Sequence, residues 1–224
     1  MTTEINLDFK EAYYNRGIIK RYGNHHGSMK GFNKTVKNIS DRAEEYYNKG
    51  VIYLKNGNLR DSISQLNKTT EINPNHVGAY CCRGCAKYAI GDHTGAIYDL
   101  NRAIDIDPGN AEAYCLRGFI RSRLRLDGNN LAIEDFNKAI EINPRYAEAY
   151  CNRGDMKVLL GYYETAINDL TKAIEMYPEY AEAYKIRGFA KYMHGDKGGA
   201  CLDWLKAVKL RDNRVNELIE TYFS

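Results

Sequence analysis

The sequence predicts an all-α solenoid of about six helix pairs with a C-terminal capping helix, and three observations carry that prediction. The first is a run that recurs. Ala147-Glu148-Ala149-Tyr150-Cys151-Asn152-Arg153-Gly154 has near copies ending at Gly17, Gly50, Gly84, Gly118 and Gly188, so the closing glycines are 33, 34, 34, 36 and 34 residues apart. A fixed period near 34 marks an array of two-helix units, each burying its apolar face only against its neighbours. The second is apolar spacing: Ala166, Ile167, Leu170, Ala173 and Ile174 fall on one face of a helix. The third is punctuation. Gly161 breaks the first helix of its unit and Pro178 stops the second, because proline cannot continue the backbone ladder and restrains the residue before it.

Taken in order, residues 1–9 are a lead-in and 10–42 a degenerate first repeat, one residue short, with Ser40 in the proline slot and Asn38 in an apolar one. Residues 43–76 restore the pattern and end at Pro74; 77–110 end at Pro108 and 111–146 at Pro144. The last of these has a two-residue insertion, since Gly118 to Gly128 is ten residues where Gly154 to Gly161 is seven and the following turn is one shorter. That excess is expected to lengthen the first helix or bulge its end. Residues 147–180 form a fifth repeat, with helices expected at about 148–160 and 164–176. Residues 181–214 form a sixth, with Asp212 in the proline slot. Val215, Leu218, Ile219, Tyr222 and Phe223 then make the apolar stripe of the capping helix at 215–224. All of these belong to one solenoid domain.

Composition narrows the function. Net charge is +3, from 32 basic and 29 acidic side chains, which argues against a general nucleic-acid binder. Residues 1–42 alone carry a surplus of four positive charges, so binding of nucleic acid or an acidic ligand through this basic first repeat, around His25, His26, Lys30, Lys34 and Lys37, stands as the alternative function. No apolar run reaches the ~20 residues needed to span a bilayer. The first residues lack the basic start and apolar run of a secretory signal, and the six cysteines lack the spacing of a disulfide scaffold. A cytoplasmic protein with reduced thiols is expected. No Ser/His/Asp order, phosphate-binding glycine loop or metal motif is present, so neither catalysis nor a cofactor is expected.

The slots Tyr150, Arg153, Gly154, Ala166, Leu170 and Pro178, matched by Tyr80, Arg83, Gly84, Ala96, Leu100 and Pro108, resemble the tetratricopeptide repeat over roughly residues 10–214. The resemblance implies a right-handed superhelix whose first helices line a concave groove. The second, fifth, ninth, twelfth and thirteenth residues of each repeat would then face it. At the fifth and ninth slots stand Tyr14 and Ile18, Tyr47 and Val51, Cys81 and Cys85, Cys115 and Phe119, Cys151 and Asp155, Lys185 and Phe189, with Glu11, Glu44, Glu112, Glu148 and Glu182 along one edge. This wall suits a peptide or helix of a partner protein, gripped by apolar anchors with Lys185 and Asp155 supplying polarity. Occupation by another copy of the chain stays open, because a degenerate first repeat leaves an end poorly capped.

Two further patterns bear on the choice. The carboxylate clamp by which some relatives grip acidic chaperone tails needs Lys or Asn at slots that here hold Tyr14, Ile18, Cys115 and Phe119, and only Asn48 and Asn152 match it. That clamp is absent. Arg83, Arg117, Arg153 and Arg187 recur in register with Asp99, Asp135, Asp169 and Asp203, and the simplest reading is an ion pair within each repeat rather than an anion site. Cys81, Cys85, Cys115 and Cys151 are read as small apolar fillers rather than metal or redox groups. Neighbouring helices pack ~8–10 Å apart, beyond the reach of most disulfides.

Overall fold

In the computed structural model, residues 33–124 and 130–210 are described, with side chains from residue 41. They form ten α-helices: α1 (Asn33–Lys55), α2 (Leu59–Ile72), α3 (Val77–Ala89), α4 (His93–Ile106), α5 (Ala111–Leu124), α6 (Asn130–Ile142), α7 (Ala147–Leu159), α8 (Tyr163–Met176), α9 (Ala181–His194) and α10 (Lys197–Lys209). Among the described residues there is no strand, and the architecture is an all-α solenoid of helix pairs.

Boundaries follow local chemistry. Each of α2, α4, α6 and α8 ends two residues before a proline, at Pro74, Pro108, Pro144 and Pro178. The turns inside the pairs place Gly57, Gly91, Gly161 and Gly195 at φ 76°, 89°, 81° and 100°, a region that penalises a Cβ. Where the next helix begins, Asp92 accepts a hydrogen bond from the Gly95 amide at 2.9 Å and Asp196 from Gly199 at 2.8 Å, satisfying amides the helix cannot.

The expected punctuation fails in one place. α1 runs unbroken through residue 42, where a turn between the first two repeats is expected. Ser40 replaces the proline there and leaves the backbone ladder intact, so the first helix of the second repeat directly continues the segment before it. In the fourth repeat α5 has 14 residues against 13 in α7, and the remaining excess falls at 125–129, outside the described residues. Residues 10–32 of the first repeat and the expected capping helix at 215–224 also lie outside them.

The chain divides into two compact units, Met1–Pro108 and Gly109–Ser224. The same packing device holds the pairs in each. A glycine of the first helix admits a bulky side chain from the second: a Cβ at Gly50 would stand 2.7 Å from Leu66, at Gly118 2.9 Å from Phe136 and at Gly154 2.7 Å from Leu170. Gly84 faces Leu100 and Gly188 faces Trp204 in the same way. Leu66, Leu100, Phe136, Leu170 and Trp204 are all fully buried, and alanines such as Ala96, Ala166 and Ala173 keep the helices close.

The Arg–Asp ladder is present as ion pairs within the repeats. Arg83 grips Asp99 with two bonds of 2.8 and 2.7 Å, and Arg153–Asp169 and Arg187–Asp203 repeat those distances. Arg117 holds Asp135 at 2.6 Å. A second cation, one helical turn on, reaches the same carboxylate: Lys87 at 2.9 Å, Arg121 at 2.7 Å, Lys157 at 2.8 Å and Lys191 at 2.9 Å. The far nitrogen of the fork reaches back to the preceding pair, from Arg83 to Asn67 and Thr70, from Arg153 to Asn137 and from Arg187 to Thr171. Each guanidinium also lies 5.1–5.4 Å from the ring of its own repeat's tyrosine, at Tyr80, Tyr114, Tyr150 and Tyr184. In the second repeat, where Lys49 faces the slot of Gln65, the lysine instead pairs with Glu45 at 2.6 Å.

Candidate partner-binding face

Within the unit Gly109–Ser224, the first helices α5, α7 and α9 lie side by side. Their shared face is continuous in charge as well as packing: Asp155 of α7 interacts with Arg123 of α5 and with Glu182 and Lys185 of α9. Phe119 packs half-buried beside Cys115 and Phe136, with the Arg123 guanidinium 5.1 Å from its ring. Phe189 sits half-buried against the last two pairs. Lys185 is held at 2.6 Å by Glu182, and burial raises the Asp155 carboxyl above its ordinary range while Arg123 pulls against that.

The fifth-slot residues behave otherwise. Cys115 and Cys151 are 4% and 1% exposed, and each is covered by the last residue of its own repeat. Tyr146 hydrogen-bonds Cys115, Tyr180 hydrogen-bonds Cys151, and the Asn152 side-chain amide donates to the Cys115 sulfur at 3.7 Å. In the other unit His76 closes over Tyr47 in the same place, with ring centroids 4.5 Å apart. Cys81 and Cys85 of α3 are buried too, whereas Val51 of α1 is half-buried. Tyr47, Cys81, Cys85, Cys115 and Cys151 are therefore interior packing groups and offer a partner no surface. Expected site residues that keep an accessible side chain are Val51, Phe119, Asp155, Lys185 and Phe189. Tyr14, Ile18 and the basic stretch about His25 lie outside the described residues.

Two features of this face carry more weight than their sequence positions suggest. Leu159 and Met193, thirteenth-slot residues of adjacent repeats, are 58% and 45% exposed, two large apolar side chains at matching positions of neighbouring helices. Burial pushes the Glu112 carboxyl up to about 7. A carboxyl raised above its ordinary 4.5 keeps its proton longer in the folded chain, so its favourable contribution is complete below pH 4.5 and is lost as pH rises through 7. Replacing Glu112 with Gln is accordingly expected to raise stability at pH 8 by on the order of 1–3 kcal/mol and to change little at pH 4.5. Thermal melts at the two pH values check this.

Burial pushes Cys115 and Cys151 far above the ordinary thiol range, away from the nucleophilic thiolate, and none of the six cysteines is in a disulfide. No cluster of His, Cys, Asp or Glu suited to a metal occurs among the described residues, and no described helix is long and apolar enough to cross a membrane.

The family model described as TPR repeat matches residues 84–124 and 129–161, and that described as tetratricopeptide repeat matches 43–76 and 147–180. The chain belongs to the tetratricopeptide-repeat family. Solved structures of like fold include MamA protein, 26% identical, covering 82% of this chain and 97% of that one with a TM-score of 0.61. YrrB, described as a TPR protein with an unusual peptide-binding site, is 18% identical over 86% of this chain and 98% of its own, with a TM-score of 0.61. TTC0263, a thermophilic TPR protein of Thermus thermophilus, is 18% identical over 80% and 98%, with a TM-score of 0.66. No curated protein matches the sequence. As a tetratricopeptide-repeat protein the chain is an interaction scaffold in the general sense, a fold that presents surfaces to other proteins or peptides and is in general non-catalytic.

Proposed function

We propose that this repeat protein holds a segment of a partner protein, chemically unaltered, on the face formed by α5, α7 and α9. The observation that carries this is the exposed pair Leu159 and Met193 on the same three helices as the half-buried rings of Phe119 and Phe189. Large apolar side chains left in water on a repeat scaffold favour association, since covering them removes apolar surface from solvent. Arg123, Asp155, Lys185 and Glu182 surround them with paired charge, the polar rim expected of a binding patch. YrrB, of similar fold, is described as having a peptide-binding site. The reduced, buried cysteines support a cytoplasmic setting.

Capture of proteins by the immobilised chain, compared with a Phe119→Ala, Phe189→Ala double variant of unchanged helical content, tests the proposal. Loss of specifically retained proteins from the variant is the expected result, each aromatic anchor being worth ~1–3 kcal/mol of binding. Equal capture by both overturns it.

A further inference from the structure

The face carries two rows of opposite character. Second-slot glutamates, Glu112, Glu148 and Glu182, stand near the start of α5, α7 and α9, and Leu159 and Met193 stand eleven residues further along their helices. At the α-helical rise that separation is about 16 Å, enough to seat another helix, ~10–12 Å across, laid over the three. Most of the acidic groups are already answered: Glu182 by Lys185 at 2.6 Å and Asp155 by Arg123 at 3.9 Å. Glu112 is half-buried and has no hydrogen-bond or ion-pair partner among the described residues, and desolvation raises its carboxyl. A half-buried carboxylate without a counter-charge offers a pairing site to a cation from outside.

We propose that the segment docking here is a basic amphipathic helix, one lysine or arginine pairing with Glu112 while its apolar side covers Leu159 and Met193. This rests on the docking function proposed above and adds the chemistry of the partner. Charge complementarity and the two-row layout argue for that occupant. An acidic tail would meet Glu112, Glu148 and Glu182 at its edge, and a wholly apolar helix would leave Glu112 buried deeper and still unpaired.

The test uses two fluorescein-labelled helical peptides of about 14 residues, long enough to cross three helices packed ~8–10 Å apart. One is built of leucine and lysine, the other of leucine and glutamate in the same pattern. Anisotropy titration of the full chain is expected to show the lysine peptide binding at least about tenfold more tightly, the usual scale of a charged hydrogen bond. Glu112→Gln is expected to remove about that tenfold, while Glu175→Gln, an exposed carboxylate on α8, leaves binding unchanged. Thermal melts confirm that both variants fold. Equal binding of the two peptides, no binding of the lysine peptide, indifference to Glu112→Gln, or an equal loss in Glu175→Gln overturns the proposal. A Leu159→Ser, Met193→Ser variant separates the two levels. If it weakens the peptides while Glu112→Gln does not, only the basic helix is lost; if neither it nor Phe119→Ala, Phe189→Ala changes binding, the docking face itself is refuted.

Discussion

Replacing Asp99 with alanine is expected to cost ~3–5 kcal/mol of folding stability, because it strands two cations at once. Asp99 is fully buried and receives both nitrogens of the Arg83 fork and the Lys87 ammonium. Without it a buried guanidinium keeps only Asn67 and Thr70, neutral acceptors that cannot offset its charge. Urea denaturation followed by circular dichroism measures the loss. Arg83→Ala alone is expected to be costly as well, but the double variant should lose less than the sum, since each single change leaves the other's partner uncompensated. Additive losses would show that the two side chains merely neighbour each other.

Trp204→Ala is the second large effect, ~3–5 kcal/mol for a fully buried indole. Trp204 fills the space over Gly188, stacks on Tyr192 with centroids 6.0 Å apart and donates its indole N–H to the Lys185 carbonyl at 3.0 Å. Alanine opens a cavity between α9 and α10, the last described pair, and removes the indole hydrogen bond to that carbonyl. Trp204→Phe retains most of the volume and forfeits the hydrogen bond, so a loss of about 1 kcal/mol is expected. Trp204 is the chain's single tryptophan, so wild-type fluorescence reports on this pair while circular dichroism reports on every helix. The fluorescence transition is expected at lower urea, and coincident transitions would show that the terminal pair melts with the whole.

The repeat is legible in the sequence because several of its slots admit few residue types. Gly154 must lack a Cβ beside Leu170, and Arg153 and Asp169, sixteen residues apart, meet across the hairpin. Such constraints recur every 34 residues and can be read without coordinates. Other contacts cannot. Nothing in Cys115 or Cys151 announces that Tyr146 and Tyr180 will close over them, and so a slot that faces inward in outline turns out to be sealed. The same is true of α1, where the change from proline to Ser40 is visible but its result, one continuous helix, depends on the neighbours. For the candidate face, Glu112 is legible as part of an acidic edge, while its lack of a counter-charge emerges only once Lys185 has turned to Glu182 and Arg123 toward Asp155.

The reach of Arg153 and Arg187 to the hairpin before them has a bearing on how such a chain can grow. Each arginine meets its negative charge inside its own hairpin and touches the preceding one only through an uncharged acceptor, Asn137 or Thr171. Excising a whole module, or duplicating one, therefore severs a neutral link that water can replace and never orphans a buried ion. At these arginines gain and loss of modules in evolution break only neutral links, and charge crosses a seam instead at pairs such as Arg123–Asp155.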